Sequence, residues 1–153
     1  MNRNPQKIVS DAVAKYGSGR EAVIEILTEI NRELSYIPEE AVATVAKAVG
    51  VSNAEIYSVI SFYSFFKTEP RGRNIIRFCT TISCEMNGSR EVLETIEAEL
   101  GIKAGETTPD GRITLETTSC IGLCDQAPAM LVNDTPHTQL TPSETRRIIA
   151  GLE

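Results

Sequence analysis

The chain of 153 residues has no tryptophan, a single histidine and no cysteine beyond four. One histidine, His137, cannot build a histidine-rich zinc site, and it makes Ser–His or Cys–His catalysis a poor explanation of this sequence. No apolar run approaches the roughly 20 residues that cross a bilayer, and the first residues lack the apolar stretch of a secretory signal. A glycine-rich nucleotide fingerprint is missing as well. We therefore expect a cytoplasmic chain with no direct membrane insertion and no nucleotide of its own.

Positive charge is also scarce. Lysine and arginine number 15 against 21 aspartates and glutamates, which gives a net charge of −6. Such a chain cannot neutralise a run of phosphates, so nucleic acid is excluded as a partner. A hydrophobic fraction of 41% can still supply a core, and the length suits one domain or a compact domain with a helical extension.

Helical signals occupy the first half of the chain. Apolar residues recur at helical spacing in four successive segments. Ser18 and Glu21 have the spacing of a capping box, which would begin the second helix. Ser52 and Glu55 repeat that spacing before the fourth. These patterns predict a helical N-terminal domain over residues 1–70.

An aromatic cluster follows the fourth helical segment. It contains three of the four phenylalanines, Phe62, Phe65 and Phe66. Stacking on a flavin or nicotinamide is one interpretation, and docking against a partner protein is a second. We favour buried packing of the helices onto the second half of the chain, because large aromatic faces dominate core and interface burial.

The period of the apolar residues changes after residues 70–73, which form the clearest boundary in the sequence. Beyond it the pattern predicts a small mixed sheet with helices, in the order β-α-β-β-(β)-α. We expect an α+β fold in which this second domain covers residues 71–153. The predicted strands are residues 74–78, 113–117 and 129–132, and the predicted helices begin near residues 89 and 142.

The four cysteines form two close pairs, Cys79-x4-Cys84 and Cys120-x3-Cys124. Cys79 follows the first predicted strand and Cys120 follows the second, so neighbouring strands would bring all four thiols to one end of the sheet. A [2Fe–2S] cluster takes two thiolates per iron. We predict that Cys79 and Cys84 hold one iron and that Cys120 and Cys124 hold the other. None of the four is then left to act as a catalytic residue.

Other uses of these cysteines fit the spacing less well. Structural zinc sites use tighter C-x2-C knuckles, and a thioredoxin-type dithiol needs C-x-x-C, which is absent. Disulfides are rare in a reducing compartment. The number of cysteines also allows a [4Fe–4S] cluster, but ferredoxin-like motifs for that cluster keep three ligands close together. A [2Fe–2S] cluster moves one electron at a time, so a flavin in a partner would have to split two-electron donors.

With these residues in place, the chain resembles the small [2Fe–2S] subunit, of 24-kDa type, of NADH-dehydrogenase modules. The resemblance implies an N-terminal helical bundle followed by a thioredoxin-like [2Fe–2S] ferredoxin domain. It also implies a partner flavoprotein subunit that carries FMN and the NAD(P) site, and further iron–sulfur or catalytic subunits. Complex I, NAD(P)-linked hydrogenases and formate dehydrogenases contain such modules. The matching motifs are Phe78-Cys79-Thr80-Thr81-Ile82-Ser83-Cys84, Cys120-Ile121-Gly122-Leu123-Cys124-Asp125-Gln126-Ala127-Pro128 and residues 30–41, 62–66, 110–116, 132–134 and 140–142.

The expected function is that of an electron-transfer subunit of a multisubunit NAD(P)H-linked oxidoreductase. Two alternatives stay open, a free-standing [2Fe–2S] ferredoxin and a zinc-stabilised structural adaptor. The chain departs from the family at Pro136 and His137, where aromatic residues are frequent. We interpret His137 as a solvated loop residue rather than a proton-coupling group.

Overall fold

The computed structural model describes residues 4–152. The chain divides into two compact units, of which the first ends at Pro70 and the second begins at Arg71. This division lies where the sequence period changes, although the outer limits of the two predicted domains, residues 1 and 153, lie outside the described residues. Within residues 4–152, no helix is long and apolar enough to span a bilayer.

The first unit consists of helices. A 3-10 turn, Arg20–Ala22, leads into the second of them. Buried aliphatic side chains from all four helices form one core, as the helical spacing of the apolar residues predicts. The helices are α1 (Pro5–Tyr16), α2 (Val23–Leu34), α3 (Glu39–Val49) and α4 (Asn53–Phe62).

Of the two capping boxes predicted in the first half of the chain, only one forms. The Ser52 hydroxyl accepts a bond from the Glu55 amide at 3.2 Å, and the Glu55 carboxylate accepts one from the Ser52 amide at 3.0 Å. The prediction for Ser18 was wrong, because the 3-10 turn intervenes and Gly19 is its N-cap residue, with no side-chain cap.

The aromatic cluster after α4 is only partly buried. Phe66 belongs to the core of the first unit, whereas Phe62 is 79% exposed. Tyr63 and the three phenylalanines contact one another, with ring centroids 4.4 to 6.0 Å apart. The predicted burial of these rings is therefore wrong for Phe62, whereas Phe66 is buried in the core of the first unit. Packing of the cluster onto the second half of the chain stays a prediction.

The second unit contains four strands, β1 (Asn74–Cys79), β2 (Ile113–Thr118), β3 (Met130–Val132) and β4 (Thr135–His137). They form a mixed sheet in the order β2-β1-β3-β4. The first two strands are parallel, and β3 runs antiparallel to β1 and to β4. Parallel neighbours need a crossover connection, which the two helices between β1 and β2 supply. The helices of this unit are α5 (Ile82–Met86), α6 (Ser89–Leu100) and α7 (Pro142–Ala150).

The last strand corrects the interpretation of His137. This residue lies on β4 opposite Met130 and is partly buried, rather than in a solvated loop. Asn133 adopts a left-handed conformation with φ of 55°, which turns the chain tightly enough for β4 to pair with β3.

Side chains of β1–β3, α6 and α7 form the second core. Arg71, whose side chain is 4% exposed, forms an ion pair with Glu116 on β2 at 3.3 Å. At Gly72 the chain lies close to the start of β2, since a Cβ atom there would be only 2.7 Å from the backbone of Ile113. Arg77 on β1 is 3.7 Å from the same carboxylate, so Glu116 connects the two strands that lead to the cysteines.

Candidate metal centre

The two cysteine segments meet at the carboxyl end of the parallel strand pair. Cys79 is the last residue of β1 and lies opposite Thr118, two residues before Cys120. The amide of Thr80 donates to the Thr118 carbonyl at 3.2 Å, so the chain stays paired just past the strand ends. The predicted neighbourhood of the two loops is therefore present.

Cys79 and Cys84, which we call the inner pair, are each 1% exposed. Cys84 lies within the short helix α5. The Cys79 amide donates to the Ala129 carbonyl at 3.2 Å, and the Thr81 hydroxyl is 3.2 Å from the Cys79 Sγ. The inner pair is thus held by regular structure and screened from water.

Cys120 and Cys124, the outer pair, are both exposed. Their Sγ atoms are 3.1 Å apart, and the Gly122 amide donates to the Cys120 Sγ at 3.3 Å. Gly122 has a φ of 84°, a left-handed conformation that glycine adopts without strain. None of the four cysteines forms a disulfide.

The four thiols influence one another across the two loops. Burial is the main reason that the pKa of Cys84 is raised, and the charges of Cys79 and Cys124 act in the same direction. The pKa of Cys124 is raised above its ordinary value, chiefly by its hydrogen bond with Cys120, against a lowering effect of the Ser83 hydroxyl. Four neighbouring thiolates repel one another, and bound metal ions supply the positive charge that compensates them.

Cys79 differs from the other thiols. Burial raises its pKa, but the side chain and backbone of Thr81 and the backbone of Ile121 donate hydrogen bonds that outweigh burial, so that the pKa is lowered overall. Ile121 belongs to the outer loop. Groups from both loops therefore stabilise negative charge on the Cys79 sulfur, as a metal ligand requires.

The donor set consists of two pairs. Across residues 4–152, no three histidine, cysteine or acidic side chains are grouped so that they could hold one metal ion. Two thiolates per iron is the requirement of a [2Fe–2S] cluster, and the inner and outer pairs offer donors in that arrangement. The chemistry and pairing of the sulfurs fit such a cluster.

Helix α5 was missed in the sequence. The Ser/Thr-x-x-Glu pattern of a capping box would have indicated this helix, but Glu85 follows Thr81 by four residues instead of three. Ile82 and Met86, on one face of the helix, are 78% and 82% exposed. An exposed apolar pair beside buried cysteines is a surface feature that no periodicity indicated.

The sequence pattern of the thioredoxin-like [2Fe–2S] ferredoxins matches residues 9–153. The chain belongs to this family. It is 39% identical over 145 residues to a protein of Rhizobium meliloti (strain 1021) that is named as one of the subunits of NADH-quinone oxidoreductase, and the match covers 95% of this chain and 84% of that protein. A similarly named protein of Escherichia coli (strain K12) is 36% identical over 127 residues, which is 83% of this chain and 76% of that protein.

Among solved structures, this ferredoxin-family chain is similar to a chain of an NAD+-reducing [NiFe]-hydrogenase in the air-oxidized state. The TM-score is 0.74 at 30% identity, over 82% of this chain. The match spans only 22% of the hydrogenase chain. Family membership confirms the resemblance inferred from the sequence. It also confirms the fold, in which N-terminal helices are followed along the chain by a thioredoxin-like ferredoxin domain.

Proposed function

We propose that the chain is an electron-transfer subunit of a multisubunit NAD(P)H-linked oxidoreductase, in which the inner and outer pairs bind one [2Fe–2S] cluster. Cys79 and Cys84 would hold one iron, and Cys120 and Cys124 the other. The convergence of the two cysteine loops at the end of the parallel strands carries this proposal. The names of the relatives, which are subunits of NADH-quinone oxidoreductases, support it.

A bound [2Fe–2S] cluster supplies one-electron transfer. The residues of this chain hold the sulfurs, exclude water from the inner pair and donate hydrogen bonds from Thr81 and Gly122. Because NAD(P)H gives up two electrons as hydride, a flavin must stand between it and a one-electron carrier. We place that FMN and the NAD(P) site in a partner flavoprotein subunit, and the whole assembly in the cytoplasm.

Exposed apolar side chains favour a role within a complex over that of a free-standing ferredoxin. In the first unit, Phe62 and Phe65 project into solvent beside a groove lined by Tyr57, Tyr63 and Lys67. In the second unit, Ile82 and Met86 do so beside the inner pair. Contiguous apolar surface of this kind is typical of interfaces between proteins.

Co-purification tests the proposal. The tagged chain is isolated anaerobically from its native cell, and the bound proteins and flavin are identified by mass spectrometry and fluorescence. We expect a flavoprotein with FMN, retained less by Phe62→Glu than by the control Ala43→Glu, which alters an exposed position of α3. A loaded chain that is always recovered alone would instead establish the free ferredoxin. Bound zinc without iron would establish the structural adaptor.

A further inference from the structure

We infer that Thr81 tunes the reduction potential of the metal centre by donating a hydrogen bond from its hydroxyl to the Cys79 sulfur. This inference rests on the proposed cluster and names a residue that acts on it through a ligand. The Thr81 Oγ1 lies 3.2 Å from the Cys79 Sγ, which is within hydrogen-bonding range for sulfur. Thr81 is therefore a positioning and tuning residue rather than a ligand.

Metal binding fixes the direction of this hydrogen bond. Between a free thiol and a hydroxyl, either group can be the donor. A cysteine that binds a metal ion does so as thiolate and has no proton to donate. The Thr81 hydroxyl must then be the donor, and the bond becomes O–H···S with charge on the acceptor, the stronger kind.

The position of Thr81 in the chain supports this assignment independently. Thr81 is the N-cap residue of α5, where a threonine hydroxyl ordinarily accepts a bond from a backbone amide of the first turn. Here the side chain makes no capping bond. The hydroxyl contacts the sulfur instead, so the helix start forgoes a common stabilising contact.

Burial increases the expected effect. Cys79 is 1% exposed, so water cannot readily replace the hydroxyl as donor. Hydrogen bonds are electrostatically stronger in such a low-dielectric environment than at the surface. Donors to a cluster sulfur stabilise the reduced, more negative form, so removal of this hydroxyl should make the reduction potential more negative.

The adjacent residue provides a matched control. Thr80 has the same side chain one position earlier, but its hydroxyl contacts the Thr118 carbonyl at 3.5 Å and no sulfur. Thr80→Val and Thr81→Val remove the same group at neighbouring sites. Thr81→Ser keeps the hydroxyl and tests for rescue.

The experiment is a redox titration of the cluster-loaded protein, followed by visible absorption and by electron paramagnetic resonance. We expect a more negative potential in Thr81→Val and potentials near that of the wild type in Thr81→Ser and Thr80→Val. Resonance Raman spectra in D2O should show an isotope shift of an iron–sulfur band in the wild type and in Thr81→Ser, and a smaller shift in Thr81→Val, where only the amide donors to sulfur remain. If Thr81→Val loads no cluster, Thr81→Ala makes the same comparison with a smaller side chain.

Two results would overturn the inference while leaving the proposed function intact. One is a fully loaded Thr81→Val or Thr81→Ala protein with the potential of the wild type. The other is an equal change in Thr80→Val and Thr81→Val. A wild-type protein that binds no iron–sulfur cluster would instead refute the proposed function, so the two failures are distinguishable.

Discussion

The inner and outer cysteine pairs lie at one end of the same sheet, yet they differ in structure and in exposure. Cys79 and Cys84 are buried, one at the end of a central strand and the other in a helix. Cys120 and Cys124 lie at the surface in and beside a 3-10 turn. We propose that the two pairs have different tasks: the inner pair would anchor the centre to the core, and the outer pair would close it toward solvent.

The largest expected effect comes from removing one ligand of the inner pair. Cys84→Ser should lower bound iron by about tenfold or more, since loss of an outer-sphere partner alone costs that much metal affinity. Cys120→Ser should lose less iron, because solvent and the serine oxygen can reach an exposed iron. Iron and sulfide analysis of anaerobically reconstituted variants provides the measurement. A full, reducible cluster in Cys84→Ser would contradict the assignment of this ligand.

The next largest effect concerns the carboxylate of Glu116, which connects the two strands that lead to the cysteine pairs. Glu116→Gln removes the carboxylate that compensates the buried Arg71, and we expect a loss of about 3 kcal/mol in the free energy of unfolding. Urea denaturation of the full chain measures it. Glu99→Gln is the control, because the ion pair of Glu99 with Arg146 is exposed and contributes only about 0.5 kcal/mol. Equal losses of stability in the two variants would show that burial adds nothing to the Arg71–Glu116 ion pair.

Thiol reactivity in the metal-free protein directly measures the difference in exposure between the inner and outer pairs. Cys120 and Cys124 should react with iodoacetamide about tenfold faster than Cys84, because the thiolate is the nucleophile and needs access. The pKa of Cys84 is raised by burial, so its reaction at neutral pH should be slow and should still accelerate at pH values where an ordinary thiol has levelled off. Peptide mapping by mass spectrometry identifies the sites, and denatured protein should lose the difference. Equal rates in the native protein would remove the distinction between the pairs.

The smallest effect is expected in the loop of the outer pair. Gly122→Ala places a side chain at a left-handed position, which costs about 1 kcal/mol, and displaces the amide that donates to Cys120. The reduction potential should become slightly more negative. Gly101→Ala is the matched control, because Gly101 has a φ of 66° at the end of α6, and it should lose similar stability without a change in potential. A change of potential in both variants would show that general destabilisation is responsible.

Much of this architecture was predictable from periodicity and spacing. The change of period after residue 70 lies where the structure divides into two units, and the two cysteine segments lie at the end of the parallel strands. Both signals are local, since each can be read from residues close together in the sequence. Helix α5 was not predictable, because its five residues lack a capping pattern and are stabilised by tertiary contacts. Strand β4 was indicated only weakly, because three residues that include Pro136 form a strand only through pairing with β3.

The difference between the cysteine pairs could not be predicted either. Two C-x3–4-C motifs look equivalent in a sequence, and their burial depends on which segments pack over each of them. Backbone groups of Ile121 and Ala129, more than 40 residues along the chain, approach the thiols of the inner pair. Only the folded arrangement of these segments distinguishes the inner from the outer sulfurs.

The most direct test of a [2Fe–2S] centre is the metal and sulfide content of the chain after anaerobic purification, combined with electron paramagnetic resonance. We predict two irons and two acid-labile sulfides per chain, no signal when oxidised and one signal after the uptake of a single electron. One zinc ion per chain without sulfide, or an unchanged cluster in the absence of Cys79 and Cys84, would contradict it.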